Sequence, residues 1–298
     1  MTDTRKISRF IKEMVDWKVV VPSYNRVEGF CKKTLATLKF HKVPASKIYL
    51  FVANEEQKRL YEEGLESCGE RATVGHIVVG RKGLPEVRNF IFEYFPVGTP
   101  LVSFDDDVRG FVRLEGSKLR PLRSAEFADC VDMAFAECKS VGARFWGDYP
   151  IPNAFFMSPT ISYDLKFIIG SFWGCFNPGT KVAITIGNGE KEDYMRAIQF
   201  WELDGRIVRL NFLSHKTATY NDSGGLQSDG QAARVAREKA TVEKMLKLWP
   251  QYVRANPRRK GPFPEILFIK QTVEGGEQKR EVNGLRLRKT RKTRRNRI

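Results

Sequence analysis

The chain has 298 residues, of which 42% are hydrophobic and 12% aromatic, and its formal net charge is +16. This length fits one large α/β domain or two smaller ones with a substantial core, and the positive charge favours a polyanionic partner, either nucleic acid or an acidic membrane surface. No segment approaches the ~20 consecutive apolar residues of a membrane span, and we expect no secretory signal because residues 1–18 lack an apolar core.

Strands alternate with helices in the first third of the chain. Apolar runs predict strands at 18–21, 48–53, 75–79 and 101–104, and helical spacing predicts helices at 28–40, 55–65 and 84–95. This alternation is typical of an α/β fold with a Rossmann-like, mostly parallel sheet flanked by helices.

The rest of the chain is less regular. Helical patterns occur at 125–141, 190–202 and 227–248, and strand-like runs at 182–186 and 207–213, while residues 153–175 are rich in aromatic side chains. Residues 286–298 hold eight Lys or Arg and no acid. A block of this density predicts a disordered arm that binds phosphate backbones, although a localisation signal or a solubilising tail has the same composition.

Five cysteines are scattered along the chain without a C-x-x-C pair. We therefore expect neither a structural zinc site nor a disulfide framework. Reduced thiols are typical of a cytosolic or nuclear protein, so the expected location is the cytoplasm (of the host, if the protein is viral) or the nucleus of a eukaryote.

Three consecutive carboxylates, Asp105, Asp106 and Asp107, stand where the fourth predicted strand ends. Burying them without compensation would be costly, and Mg²⁺ or Mn²⁺, which take hard oxygen ligands, would compensate them. Ligands tend to bind at strand ends in open α/β sheets. The cluster thus indicates a metal-held phosphate ligand, and a solvated turn after a strand remains the alternative.

Two further segments have the composition of a phosphate or nucleotide site. The run Pro22-Ser23-Tyr24-Asn25-Arg26 follows the first strand, and its Tyr can stack on a base while its Arg reaches a diphosphate. In the second segment Gly83 precedes a helix N-terminus, which favours anions, and Arg88 lies one turn later, where it can bind phosphate or pair with an Asp. Ordinary turns with solvated charges explain both segments equally well.

Two more motifs offer catalytic groups. A Gly-rich loop at 187–189 leads into a helix with Glu192 and Asp193 in its first turn. These acids either include a general base or complement the helix dipole. His215 follows a predicted strand, where it either completes a metal site with the Asp cluster or is simply a polar residue.

The order Pro-Ser-Tyr-Asn-Arg, Gly-x-x-x-x-Arg-Asn, Asp-Asp-Asp, Glu-Asp and His resembles the GT-A class of nucleotide-sugar glycosyltransferases over about residues 19–225. The motif Ser-Phe-Asp-Asp-Asp-Val, with the later His-Lys-Thr and Gly-Gly segments, resembles the TET/JBP-associated branch of these glycosyltransferases. That branch includes the base J glucosyltransferase and bacteriophage enzymes that glycosylate hydroxymethylpyrimidines in DNA.

The resemblance implies a role for each motif. Asp105 and Asp107 would hold Mn²⁺ or Mg²⁺ together with His215, with Asp107 the foremost ligand and Asp105 or Asp106 near the ribose. Asp193 would be the catalytic base, with Glu192 as the alternative. Many relatives have an Asp after the second strand that binds the edge of the uracil base. This chain has Asn54 there, which puts the contact in doubt. The implied donor-binding residues are Pro22, Ser23, Tyr24, Asn25, Arg26, Asn54, Lys82, Gly83, Arg88, Asp105 and Asp106.

The reaction implied by the resemblance is inverting transfer of a sugar, glucose from UDP-glucose, to hydroxymethyluracil or hydroxymethylcytosine in DNA. The expected acceptor contacts are Trp173, Lys216, Arg288, Lys289, Arg291, Lys292, Arg294 and Arg295. Phe155, Phe156, Tyr163, Phe172 and Trp173 are candidates for stacking on an extruded base, although a place in the hydrophobic core is the more common role for most such residues. The expected units are a catalytic core at 1–225 (donor half about 18–110, acceptor half about 111–225), a helical extension at 226–285 and the basic tail at 286–298.

Other functions fit parts of the pattern. A glycosyltransferase acting on a saccharide, lipid or protein would have the same fold. A metal-dependent nuclease or nucleotidyltransferase also uses clustered carboxylates on an α/β fold. A DNA-binding protein without catalysis would explain the charge but not the three Asp residues.

Overall fold

The structure is a computed structural model that describes residues 15–217, 231–271, 273 and 279–282. Its strands are β1 (Lys18–Pro22), β2 (Ile48–Val52), β3 (His76–Val79), β4 (Pro100–Phe104), β5 (Val108–Glu115), β6 (Lys118–Pro121), β7 (Phe145–Asp148), β8 (Thr160–Ser162), β9 (Phe172–Phe176), β10 (Val208–Leu210), β11 (Leu213–Thr217), β12 (Val253–Ala255), β13 (Ile266–Phe268) and β14 (Lys279–Glu281). Its helices are α1 (Val27–Phe30), α2 (Ala36–Phe40), α3 (Glu55–Ser67), α4 (Leu84–Tyr94), α5 (Glu126–Val141), α6 (Glu192–Asp204) and α7 (Gln231–Leu248).

A mixed sheet in the order β14-β8-β10-β7-β9-β4-β1-β2-β3 forms the centre of the fold. Strands β3, β2, β1 and β4 pair in parallel, as the alternating pattern predicts. Strand β9 lies between β4 and β7 and is antiparallel to both. The carboxyl ends of β1, β4 and β7 therefore lie at the same edge of the sheet as the start of β9, and this edge carries the candidate site.

The strands of the sheet centre are apolar on both faces. Val19, Val20 and Val21 of β1 are fully buried, and so are Leu101 and Val102 of β4. Continuous apolar runs are what a sheet covered by helices on both sides requires. The sheet is thus a rigid base for the loops that follow its strands.

A π-helical turn (Cys31–Leu35) joins α1 to α2, where the sequence pattern predicts one continuous helix. Such turns are frequent at functional sites. Here Thr34 lies in the turn, donates its Oγ1 hydrogen to the carbonyl oxygen of Asp105 (2.6 Å) and accepts one from the backbone N–H of Val108 (3.0 Å). The turn therefore fixes the backbone of the Asp105–Asp107 segment on both sides.

Two strand predictions are wrong. The run 182–186 is not a strand: the side chain of Asn89 hydrogen-bonds both backbone groups of Ile184 (2.8 and 3.0 Å), and Gln199 does the same for Ala183. Side-chain amides thus replace a neighbouring strand. The run 207–213 is divided between β10 in the large sheet and β11, which pairs with β5 in a separate three-stranded sheet.

Within the described residues, no helix is both long enough and apolar enough to cross a lipid bilayer.

Candidate active site

The three consecutive carboxylates lie at the sheet edge and turn in different directions. Asp105 accepts a hydrogen bond from Nη2 of Arg88 at 2.8 Å, and Asp106 accepts from Ser23 Oγ at 2.5 Å and from Nη1 of Arg26 at 3.2 Å. Asp107 is half-buried and directly precedes β5. The segment, which we call the acidic loop (Asp105–Asp107), is therefore a built arrangement and not a solvated turn.

Arg88 is the buried cation of the site. Its side chain is 4% exposed, and besides Asp105 it reaches the carbonyl of Gly170 (3.2 Å) and Oε1 of Glu192 (3.4 Å). It thereby joins the acidic loop to the start of α6. The sequence left two alternatives open for Arg88, phosphate binding or pairing with an Asp. In the structure Arg88 pairs with Asp105.

A second buried arginine balances this cluster. Arg196 lies one turn after Glu192 on α6 and donates a hydrogen bond to it. Its guanidinium stacks 4.2 Å from the ring centroid of Trp173. Within the part of the chain that the structure describes, the buried Nε and Nη1 atoms of Arg196 have no hydrogen-bond partner. Two arginines therefore hold Glu192 between them. The pair of Glu192 and Arg196 was not predicted, although their i, i+4 spacing on a helix is a sequence signal for it.

The three carboxylates of the acidic loop outnumber the two arginines that pair with them, Arg88 and Arg26. Burial raises the pKa of Asp105 to about 6; Arg88 opposes this shift, and the carboxylates of Asp107 and Glu192 add to it. Burial and then the charge of Asp106 also raise the pKa of Asp107. A cation bound between Asp105 and Asp107 would stabilise their ionised forms.

The first loop, Ser23–Arg26, is held by α3. The Tyr61 hydroxyl lies 2.5 Å from Ser23 Oγ and accepts a hydrogen bond from the backbone N–H of Arg26 (3.1 Å). Gln57 exchanges two hydrogen bonds with Asn25 (2.6 and 2.9 Å), whose φ is 54°. Gln57 and Tyr61 were not predicted as site residues, although their spacing of four places both on one helix face.

The remaining candidates for nucleotide binding surround this loop. Tyr24 is exposed, and Nζ of Lys82 lies 5.7 Å from the centroid of its ring. Pro22 ends β1. Gly83 has a φ of 107° at the N-terminus of α4, a conformation that favours glycine. Asn54 caps α3 by accepting a hydrogen bond from the backbone N–H of Gln57 (2.9 Å), so its oxygen has a structural role.

Glu192 and Asp193 differ in environment although they are adjacent. Glu192 is paired with the two arginines, whereas Oδ1 of Asp193 accepts a hydrogen bond from the backbone N–H of Tyr194 (2.9 Å). Burial, and then the Glu192 carboxylate, raise the pKa of Asp193 to about 7, and Arg196 opposes the shift. A carboxyl group that titrates near neutral pH is suited to general acid–base chemistry.

His215 is buried beside the acidic loop. Its Nδ1 lies 2.9 Å from Oδ2 of Asp148 and its Nε2 lies 2.6 Å from Oγ of Ser171. A carboxylate at Nδ1 favours the tautomer that has its proton on Nδ1 and its lone pair on Nε2. Asp148 and Ser171 were not predicted as site residues; the apolar run Phe-Trp-Gly before Asp148 is a signal of the same kind as the one before Asp105.

Among residues 15–217, 231–271, 273 and 279–282, no three His, Cys, Asp or Glu side chains form a ready group of metal ligands. His215 is engaged by Ser171 and Asp148 and Asp106 by Ser23 and Arg26, which leaves Asp105 and Asp107 as the candidate oxygen donors. Carboxylates with raised pKa values have the donor chemistry that Mg²⁺ and Mn²⁺ prefer. The residues therefore fit a divalent cation that takes its other ligands from substrate and water.

The candidate acceptor contacts are divided between core and surface. Trp173, Tyr163 and Phe172 are buried, whereas Lys216 is exposed at the end of β11. Phe155 and Phe156 are 86% and 57% exposed in the loop after β7. Two predicted segments lie outside the described residues. One is the Gly-Gly segment, Gly224 and Gly225, and the other is the set of basic-tail contacts: Arg288, Lys289, Arg291, Lys292, Arg294 and Arg295.

No protein-family model matches the sequence, and no curated protein matches it significantly. Among solved structures, residues 1–349 of TarS from S. aureus in complex with UDP-GlcNAc superpose with a TM-score of 0.51 at 12% identity, over 77% of this chain and 66% of that one. The mannosyltransferase PcManGT from Pyrobaculum calidifontis in complex with GDP-Man and Mn²⁺ gives a TM-score of 0.45 at 13% identity, over 86% and 72% of the two chains.

This chain spans just under two thirds of the TarS structure, and at 12% identity the similarity concerns the fold. The chain therefore has an α/β fold, a large mixed sheet flanked by helices, similar to that of the GT-A glycosyltransferases.

Proposed function

We propose that the protein is a nucleotide-sugar-dependent glycosyltransferase. The observation that carries this proposal is the acidic loop, held by Arg88 and Thr34 at the carboxyl edge of a sheet with the GT-A fold. Ligands of open α/β sheets bind at this edge. The arrangement keeps carboxylates of raised pKa, Asp105 and Asp107, beside a loop with an exposed aromatic ring.

The donor is a UDP-sugar, with UDP-glucose the first candidate. Tyr24 offers an exposed ring face for the base, and Lys82 adds positive charge next to it. TarS, whose fold is similar, was crystallised with UDP-GlcNAc. Stacking on Tyr24 orients the nucleotide so that its diphosphate reaches the acidic loop.

The carboxylates of Asp105 and Asp107 would hold Mn²⁺ or Mg²⁺, and the lone pair on Nε2 of His215 would be a further ligand once the Ser171 hydroxyl turned away from it. When bound, such an ion offsets the negative charge that develops on a departing diphosphate. Arg88 keeps the carboxylate of Asp105 in place, and Asp148 keeps the imidazole in one orientation.

Asp193 acts as the general base. Its Oδ1 is occupied by the N–H of Tyr194, so Oδ2 takes the proton of the acceptor hydroxyl as that oxygen attacks C1 of the sugar with inversion. A pKa of about 7 lets the group be ionised at neutral pH while retaining enough proton affinity to deprotonate an alcohol. The charge of Glu192 raises that affinity.

The acceptor is a hydroxymethylated pyrimidine in DNA. The net charge of +16, about half of which lies in residues 286–298, supports a phosphate-rich partner. The loop that carries the exposed rings of Phe155 and Phe156 begins after β7, at the end of that strand where Asp148 bonds His215, and this supports a role of the rings in acceptor binding. Base extrusion gives such an enzyme access to the hydroxymethyl group, and exposed rings can stack on neighbouring bases.

The test is transfer of labelled UDP-glucose in the presence of Mn²⁺ to duplex DNA containing hydroxymethyluracil or hydroxymethylcytosine, with unmodified DNA as the control substrate. We expect label in modified DNA alone and its loss in Asp193→Asn, whereas Glu202→Gln, an exposed acid on the same helix, remains active. DNA cleavage without any sugar donor would overturn the proposal. Transfer to a saccharide but to no DNA would retain the transferase and refute the acceptor.

A further inference from the structure

Two cysteines that are 37 residues apart in sequence meet at the surface. The Sγ atoms of Cys31 and Cys68 are 3.1 Å apart. Cys31 begins the π-helical turn between α1 and α2, and Cys68 directly follows α3. The sequence predicts reduced thiols without a disulfide framework, and only the packing of these two elements brings the pair together.

The two thiols differ from the other three in accessibility. Cys68 is exposed and Cys31 is half-buried, while Cys130, Cys138 and Cys175 are buried. Burial and the neighbouring Cys68 raise the pKa of Cys31 to about 12, so Cys31 reacts slowly with reagents in solution. Cys68 is therefore the thiol that a small oxidant reaches first.

We infer that Cys31 and Cys68 form a reversible intramolecular disulfide by exchange with a low-molecular-weight disulfide such as oxidised glutathione. The Cys68 thiolate attacks one sulfur of the reagent and releases one glutathione thiolate. Cys31 then attacks the Cys68 sulfur of the mixed disulfide and releases the second. The two cysteine protons pass to the two glutathiones, and two electrons pass from the protein to the reagent.

The second step is favoured by position. The two Sγ atoms need to approach by only about 1 Å to reach the ~2.05 Å of a disulfide bond, and intramolecular attack over such a separation has a high effective concentration. This proximity offsets the low thiolate fraction of Cys31 once Cys68 carries the mixed disulfide.

The bond would join two supports of the candidate site. The π-helical turn carries Thr34, which holds the acidic loop, and α3 carries Gln57 and Tyr61, which hold the first loop. Closing a loop of this length reduces the entropy of the unfolded chain. For a chain of this size we expect oxidation to raise Tm by roughly 5 °C. The inference is independent of the proposed function.

The experiment uses the full-length protein equilibrated in glutathione buffers of increasing oxidised fraction, followed by acid quenching, alkylation under denaturing conditions and peptide mass spectrometry. We expect the number of alkylated cysteines to fall from five to three and a peptide linking Cys31 to Cys68. The rise in Tm should be absent in Cys31→Ser and in Cys68→Ser. Of these two, only Cys31→Ser should accumulate the glutathione adduct, at Cys68.

Three results would overturn the inference. One is five alkylated cysteines at every glutathione ratio. Another is a link that involves Cys130, Cys138 or Cys175. The third is an oxidation-dependent rise in Tm that persists in the double variant Cys31→Ser, Cys68→Ser, because it would then come from another site.

Discussion

Replacing Arg88 by Met should destabilise the protein more than any change to a surface ion pair. Arg88 is 4% exposed, and its loss leaves the carboxylates of Asp105 and Glu192 without their shared cation. Removing one partner of a buried pair costs about 3–5 kcal/mol. The matched control is Arg81→Met: Arg81 pairs with Glu93 at 2.6 Å, but the two side chains are 50% and 40% exposed, so its removal costs about 0–1 kcal/mol.

The pH dependence of that loss identifies its cause. In the folded protein the pKa of Asp105 is about 6, above its ordinary value of 3.8, so ionising this group lowers stability as the pH rises through 6. Without Arg88 the pKa of Asp105 rises further. Urea unfolding of Arg88→Met should therefore show a larger loss of free energy at pH 8 than at pH 5. The reasoning is refuted if Arg88→Met loses no more than Arg81→Met, or if its loss does not grow with pH.

Three other predictions concern the base, the segment 182–186 and the exposed rings. The transfer rate should rise with pH around a midpoint of about 7, because the Asp193 carboxylate must be ionised. Asp193→Asn should lower kcat at least 100-fold at every pH. An unchanged dependence of the transfer rate on pH in Asp193→Asn would contradict the assignment. Asn89→Leu should cost about 1–3 kcal/mol in urea unfolding by leaving the backbone of Ile184 unpaired, and an unchanged midpoint would contradict this. Changing Phe155 and Phe156 to Ala should weaken binding to duplex DNA about tenfold at constant Tm, as measured by fluorescence anisotropy, because these rings are exposed; unaltered affinity would remove them from the acceptor site.

The parallel half of the fold was predictable because its signals are local. Strands β1 and β4 are short apolar runs, and each ends at a polar segment. Parallel strands separated by helices place their carboxyl ends at one edge, and the polar segments after β1 and β4 lie together there.

The other half depends on pairings between distant segments. Strand β9 enters the sheet between β4 and β7 with reversed direction, and no local pattern specifies that neighbour. The run 182–186 has the composition of a strand, yet its backbone is satisfied by the Asn89 and Gln199 side chains. Asp148 was missed for a different reason: a local apolar run precedes it, but that run was not predicted to be a strand.

The central claim, that the acidic loop binds a cation together with the diphosphate of a nucleotide sugar, is tested most directly by thermal unfolding with UDP-glucose and Mn²⁺. Saturating both should raise Tm by roughly 5 °C, with neither alone sufficient, and Asp107→Asn should abolish the shift. Asp16→Asn, which changes an exposed carboxylate, should leave the shift intact. An absent shift in the unaltered protein, or a full shift in Asp107→Asn, would contradict the account.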